Sequence, residues 1–213
     1  PAKWPKSDKL DDWDLLPTKP DWAGGLRDAW TPGEAMALER LDAFATHVGD
    51  YETARNLPSI DGSSRLSPHL HFGEVSPATV WHALNAKRGE GVEGFRRELV
   101  WRDFAQNLIA AFPDYPERGF NEAVGRIAWR TSASDLKAWQ QGRTGYPIVD
   151  AGMRQLWATG WMHNRVRMIA ASFLIKHLLI DWREGERWFW DTLVDADYGN
   201  NGVNWQWVSG SGL

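Results

Sequence analysis

The chain has 213 residues, 43% of them apolar and 24% charged, with a formal net charge of −4, which is ordinary for a globular protein with one large core or two small ones. No apolar run approaches the ~20 residues of a membrane span, and the longest, Met168–Ile180, is broken by Lys176 and His177. There are no cysteines, which excludes disulfides, thiolate catalysis and cysteine-ligated metals and fits a reducing cytosol.

The first residues, PAKWPKSDKL, carry no signal-peptide pattern. Fifteen tryptophans against four tyrosines is heavy use of the largest aromatic. The net charge hides a segregation. Residues 150–180 hold Arg154, Arg165, Arg167 and Lys176 against Asp150 alone, while residues 1–50 and 181–213 are each net acidic. A basic patch on an acidic protein leaves a nucleic-acid partner open at a pI near 5.9.

Residues 1–30, rich in Pro, Asp and Trp and without periodicity, read as an extended lead-in, the remnant of a linker. Thr31-Pro32-Gly33-Glu34 reads as a capping box with proline at the first helical position. Ala35, Leu38, Leu41, Ala45 and Val48 continue at helical spacing, and Gly49 closes that helix. Tyr51–Pro58 is a connection, and DGSSRLSP (61–68) is a loop of hydroxyls and small residues. Ser76-Pro77 opens a helix running to about Lys87. Gly89–Gly94 breaks the pattern before a strong helix over Phe95–Phe112, which Pro113 and Pro116 end. Glu117–Ser132 is loose. Ser134–Gln141 is a short helix, Gly145-Tyr146-Pro147 a turn, Asp150–Ala158 a helix and Gly160 a break. Trp161–Ile180 is a long helix and Glu184–Val194 the last. The remainder, beginning with DADYGNNGVNWQW, reads as loop. No stretch alternates with period two over more than four residues, so the expected fold class is all-α. There is no internal repeat and no G-x-G-x-x-G, so any dinucleotide is not held in the Rossmann manner.

Several residues carry chemistry beyond packing. Ser63, Ser64, Ser67 and Arg65 offer short donors and a cation, which suits a phosphate or pyrophosphate. The plainer reading is a capped turn between helices. Glu98, Trp101 and Arg102 share one helix face. That face is either an amphipathic surface with a Glu98–Arg102 ion pair or a base-recognising platform. Asn164, Arg167 and Met168 share a face of an apolar helix. Buried polar groups need partners, and Asp195, Asp197 or a polar ligand would serve. Asp195-x-Asp197 could also take Mg²⁺ or Ca²⁺ through oxygens alone. The better use of these carboxylates and of Asn201 is hydrogen bonding to a heterocycle or sugar hydroxyl. Trp129, Trp182 and Trp205 are redox-capable rings on three segments, although core packing is the default for any of them. His47, His69, His71, His82, His163 and His177 show no metal spacing.

Taken together, GSSRLSP (62–68), ELVWRDF (98–104), TGYPIVDAGMRQL (144–156), GWMHNRVRM (160–168), DWREGER (181–187) and the Asp195–Trp207 stretch resemble the flavin-binding catalytic domain of the DNA photolyase/cryptochrome family. The resemblance covers essentially the whole chain and is loosest before Tyr51. It implies an all-helical bundle over residues 31–213 around a U-shaped FAD, active as FADH⁻. Tyr51, Ser63, Ser64, Leu66 and Ser67 would contact its phosphates and ribityl chain. Arg167 and Asp195 would form a salt bridge beside the isoalloxazine, with Asp197 and Asn164 also binding and Asn201 facing N5. Trp205, Trp182 and Trp129 would relay an electron from the surface, and Trp157 could give a second branch. Glu98, Trp101, Arg102, Asn164, Met168 and Trp207 look like the lesion pocket of cyclobutane pyrimidine dimer (CPD) photolyases, with Trp101 and Trp207 holding a flipped-out dimer. The (6-4) photolyases carry histidines where this chain has Asn164 and Met168.

The implied reaction is light-driven. Excited reduced flavin lends an electron to the dimer, the two cyclobutane bonds split, and the electron returns. UV-damaged DNA is then the partner of a monomer with no metal and no membrane, in the cytoplasm or on a bacterial nucleoid. The alternative is a cryptochrome, a blue-light receptor with the same flavin pocket and no repair. A non-enzymatic helical DNA-binding module that has lost FAD is a third. The family's α/β antenna domain is missing, its chromophore is not assignable, and the chain is expected to be truncated at its C-terminus. Finally, Trp205 and Trp207 would share a side if extended but lie about 200° apart in a helix. One supplying electrons and the other facing DNA predicts a helical turn there.

Overall fold

In the computed structural model, which describes residues 3–16, 18–119 and 125–210, every regular element of those residues is helical. The chain builds two apolar cores. The first gathers α2 (Glu34–His47), α3 (Tyr51–Ala54), α4 (Ser67–His71), α5 (Pro77–Ala83) and the first half of α6 (Glu90–Ala111) around Leu41, Phe44, Val80, Phe95 and Leu99. The second gathers α8 (Ala133–Gln140), α9 (Pro147–Thr159), α10 (Asn164–Ser172), α11 (Trp182–Thr192) and α12 (Tyr198–Ser209) around Met153, Leu156, Leu174, Trp182 and Trp205. The 22 residues of α6 extend about 33 Å and join the two. Its second half packs on α12 and on α7 (Tyr115–Arg118) through Ala105, Tyr115 and Val203.

The structure corrects several sequence-based boundaries. Within the lead-in read as extended, Leu10–Trp13 is a 3₁₀ turn and Gly24–Ala29 is a helix, α1. Helix α1 docks on α9. Leu26 touches Gly160, Gly25 lies against the Ala158 carbonyl, and the indole N–H of Trp30 donates to the Thr159 carbonyl at 2.7 Å. Such long-range contacts leave no local periodicity to read. Thr31 caps nothing. Helix α2 begins at Glu34 with Gly33 before it at φ 116°, and its buried residues are Ala37, Leu41 and Phe44, with Leu38 exposed. Helix α5 stops at Ala83, short of Lys87. The long helix read over Trp161–Ile180 starts only at Asn164, capped by His163, and passes into a π-helix over Phe173–His177. Part of the loose segment read over Glu117–Ser132 lies outside the described residues.

Two misreadings have a common cause. Gly89–Gly94 does not break the chain before α6; from Glu90 onward the segment is its first turns. A Cβ at Gly91 would lie 2.2 Å from the Val48 carbonyl oxygen, and one at Gly94 would lie 2.0 Å from a Glu52 carboxylate oxygen. These glycines let the end of α2 and α3 approach α6. Likewise the Asp195–Trp207 stretch is not a loop, since α12 covers Tyr198–Ser209. Its glycines and asparagines are poor helix formers, and contacts supply what propensity does not. Asp197 caps the helix by accepting from the Asn200 backbone N–H at 2.8 Å. Gly199 and Gly202 are buried, the first against the Ala105 carbonyl.

The Gly91 contact makes a sign-specific prediction. If Gly91 merely weakened the helix, Gly91→Ala would stabilise the protein by about 1 kcal/mol. Because the new methyl would meet backbone, the variant should instead lose about 1–3 kcal/mol, read as a lower urea midpoint at unchanged slope. A higher midpoint would refute the close-approach role.

Candidate functional site

A cavity of about 660 Å³ opens between the two cores. Tyr51, Ser63, Ser64, Leu66 and Ser67 line one wall, and Asn164, Arg167, Met168, Asp195 and Asp197 line the opposite one. Glu98, Trp101, Arg102 and Trp207 complete it from α6 and α12. A smaller cavity of about 110 Å³ continues behind Arg167 and Asp195 and is lined by Asn201 and Trp205. The lining thus joins residues separated by more than a hundred positions. Trp129 and Trp182 are not part of it. Trp182 is fully buried in the second core and Trp129 packs against that core half-buried.

Arg167 and Asp195 form the centre of the far wall. The guanidinium donates from Nη1 to one carboxylate oxygen at 3.1 Å and from Nη2 to the other at 2.8 Å, while Nε donates to the Met162 carbonyl at 2.8 Å. The Asp195 side chain is 3% exposed. Such a two-point charged contact fixes orientation as well as position. Arg167 therefore finds the aspartate partner that its place on an apolar helix requires.

Asp197 is held from three sides. The Gln106 side-chain amide donates to both its oxygens, at 2.7 and 2.9 Å, and Asn200 donates from backbone and side chain. These hydrogen bonds occupy its carboxylate. Among the described residues, no group of three or more metal-ligating side chains is brought together.

Glu98 does not pair with Arg102. Its carboxylate accepts from Arg55 at 2.6 Å, across from α3 to α6. Arg102 instead donates to the Leu70 carbonyl at 3.3 Å and lies 4.0 Å from Asp197. Tertiary approach of α3 puts a stronger partner beside Glu98 than its own helix does. The same helix places Tyr51 under Arg55, with the guanidinium 5.1 Å from the ring centre. Burial pushes the Tyr51 hydroxyl up to about 12, so it is a neutral hydrogen-bonding group.

Asn201 has one fixed face. Its side-chain nitrogen donates to the Glu186 carbonyl at 3.0 Å and to the Glu186 carboxyl at 2.8 Å. With the NH₂ so engaged, the amide oxygen is the atom left for a ligand, and it accepts only. Burial raises the Glu186 carboxyl above its ordinary 4.5.

Helix α12 separates the two tryptophans as the helical reading predicts. Trp205 is 3% exposed, against Phe189 at 4.9 Å and Trp139 at 6.2 Å between ring centres. Trp207 is 49% exposed at the cavity mouth, as is Trp101 at 56%. A Cβ at Gly185 would come within 2.1 Å of the Trp205 ring, so only glycine lets α11 lie flat on that indole. Trp157 lies on the surface, stacked on Trp188 with ring centres 5.8 Å apart. In the TGYPIVD segment, Asp150 in the first turn of α9 holds down the turn ahead of the helix by accepting from Thr144 and Gly145.

Residue-type reasoning missed Arg55, Gln106 and Glu186, which orient Glu98, Asp197 and Asn201. Only Arg55 left a local trace, four positions after Tyr51 on one short helix. The other two act across helices.

The family described as the FAD binding domain of DNA photolyase matches residues 95–213. The deoxyribodipyrimidine photo-lyase of Agrobacterium fabrum is 56% identical over 100% of this chain and 45% of that protein. Cryptochrome-1 of Sinapis alba is 42% identical over 87% of this chain and 40% of that protein. The crystal structure of a bacterial class III photolyase from Agrobacterium tumefaciens superposes with a TM-score of 0.91 at 55% identity, covering 98% of this chain and 44% of that one. The chain therefore spans less than half the length of these relatives.

Glu186 gives a pH prediction. Its raised value means that the protonated form suits the folded state. Its contribution to stability is thus fully present below pH 4.5 and is lost as the pH rises through the folded value. Glu186→Gln is neutral throughout and still accepts from Asn201. Its stability relative to the unmodified protein should rise with pH above 4.5, followed by urea unfolding across a pH series. A difference independent of pH would contradict the burial effect.

Proposed function

The chain belongs to the FAD-binding domain family of the DNA photolyases, and on that footing we propose that it holds the flavin and the lesion in light-driven repair of cyclobutane pyrimidine dimers in DNA. The observation that carries the reading is the Arg167–Asp195 pair, buried on the wall of a cavity whose mouth is flanked by Trp101 and Trp207. A volume of about 660 Å³ falls within the roughly 300–1,000 Å³ usual for ligand pockets. The donor set suits FAD from end to end. Serine hydroxyls and an arginine stand on one side for phosphates. Carboxylates, an amide oxygen and a guanidinium stand on the other for a heterocycle.

Tyr51, Ser63, Ser64, Leu66 and Ser67 would hold the phosphate and polyol part of the cofactor, and Asn164, Arg167, Asp195, Asp197 and Asn201 the ring part. When bound and reduced, the flavin supplies an electron under blue light. The protein's own contribution is placement. The Arg167 and Asp195 charges are already paired, so they present a fixed dipole to a ring. The Asn201 oxygen, oriented by Glu186, accepts an N–H and so suits a protonated ring nitrogen. At the mouth, Trp101 and Trp207 offer indole faces to two stacked or linked bases, and Glu98, positioned by its hydrogen bond from Arg55, offers an acceptor to a base edge. Arg102, Asn164 and Met168 close the sides. Trp205, Trp182 and Trp129 belong to or pack on one apolar core between cavity and surface, which supports an electron relay.

Three measurements test this reading. The purified, reduced, flavin-loaded protein should convert dimer-containing oligonucleotide to intact pyrimidines under blue light and not in the dark. Intact dimers after illumination would leave the cryptochrome-type receptor as the better description. Trp101→Ala, at an exposed position, should weaken binding of dimer-containing DNA by roughly 1–3 kcal/mol, the scale of one base–aromatic stack. Equal affinity would remove its stacking role. Trp205→Phe should slow light-driven reduction of the bound flavin and spare repair by protein reduced beforehand. Loss of both would mean that Trp205 does more than relay.

A further inference from the structure

The main cavity and the smaller one behind it share part of their lining, and the shared residues form a neck between the inner end and the mouth. Among them is Asn204, an exposed residue of α12. Asn201, three residues before it, lines only the smaller cavity, and Trp207, three residues after it, lines only the main one. Three residues along a helix amount to about 300° of turn, so Asn204 stands about 60° from Asn201 on one side and about 60° from Trp207 on the other. It is therefore placed at the boundary between the wall that suits a flavin ring and the mouth that suits stacked bases.

Most polar side chains of the neck are already engaged. Arg167 and Asp195 bind each other, and Asp197 accepts from Gln106 and Asn200. The Asn164 amide has only a contact at 4.0 Å to the Met168 sulfur, a weak acceptor that does not fix which end of the amide faces the cavity. Asn204 differs. Its side-chain nitrogen donates to the Asn200 carbonyl at 2.7 Å. A carbonyl oxygen only accepts, so the amide cannot turn over without losing that bond. With the NH₂ so held, the oxygen is the atom left for a ligand, and it accepts only.

A flipped-out base is read along its Watson–Crick edge. A dimer of two thymines carries an imide N–H on each base and so brings two donors. Glu98 supplies an acceptor for one of them. The other, taken out of water between Trp101 and Trp207, is costly to leave unpaired. Cytosine has a bare ring nitrogen at the same position, which would set acceptor against acceptor.

We infer that Asn204 is a specificity-determining residue whose amide oxygen accepts the imide N–H of one base of the dimer, while Glu98 accepts that of the other. The inference rests on the dimer-repair reading above. Its probes are oligonucleotides bearing a freshly prepared thymine–thymine, thymine–cytosine or cytosine–thymine cyclobutane dimer, with binding to the flavin-loaded protein followed in the dark. The unmodified protein should bind each mixed dimer roughly ten-fold more weakly than the thymine dimer, the effect of one lost hydrogen bond and an unpaired polar group. Asn204→Ala, at an exposed helical position that alanine suits, should bind the thymine dimer roughly ten-fold more weakly. It should lose the preference for thymine at one base and keep it at the other, where Glu98 acts. Its urea midpoint should not fall, and its FAD affinity should match that of the unmodified protein.

Equal binding of all three dimers by the unmodified protein would overturn the inference without any variant. An unaltered preference in Asn204→Ala would do the same, as would loss of the preference at both bases, which marks a general disturbance of the mouth. Weakened FAD binding, or a displaced flavin absorption band before DNA is added, would assign Asn204 to the cofactor instead. If the unmodified protein did not distinguish dimer-containing from intact oligonucleotide, the dimer reading itself would fall and take this inference with it.

Discussion

The Arg167–Asp195 contact organises the C-terminal half of the protein. It joins α10 to the turn before α12 through two charged hydrogen bonds, and a third bond ties the same guanidinium to the backbone ahead of α10. Breaking a buried pair leaves one charge without compensation, at about 3–5 kcal/mol. The turn is therefore pinned, and Asp197, two residues on, is delivered to the position from which it caps α12. Once α12 is helical, residues two apart point about 200° from each other. Trp205 turns into the core and Trp207 out to the mouth as a consequence of that cap.

The cavity exists because two cores meet without merging. The first core presents Leu66, Leu70 and Phe95 to it, and the second presents Met162. Neither set closes the gap, because the side chains between them are polar and tied to one another. Glu98 is drawn toward Arg55, Asp197 toward Gln106, and Asn201 toward Glu186. Each tie removes a freedom that a ligand would otherwise have to remove, which is the physical content of preorganisation. Glycines set the spacing. Gly91 and Gly94 bring α6 onto α3, and Gly185 brings α11 onto Trp205.

Much of this was legible in the chain. Helical spacing without period-two alternation gave the fold class, and segment motifs gave the family. The cavity-lining serines and the polar face of Asn164, Arg167 and Met168 stood out because such residues sit badly in an apolar context. The errors were local. Gly89–Gly94 and the Asn- and Gly-rich run after Asp197 were read by propensity, which tertiary contacts overrode. Helix α1 was hidden because docking on α9, and not its own pattern, stabilises it. The partner of Glu98 was missed because an ion pair four residues apart looks sufficient on a helical wheel.

The sequence by itself determined that the protein is helical, that it lacks thiol chemistry, and which polar and aromatic residues exceed the needs of a core. These follow from composition and short-range spacing, which any conformation of the chain shares. Only the tertiary structure decided who pairs with whom. It set Arg55 on Glu98, Gln106 on Asp197 and Glu186 on Asn201. It also decided that Asp195–Trp207 ends in a helix. Orientation of a charged or hydrogen-bonding group depends on atoms brought near by the fold, and sequence distance carries no record of them.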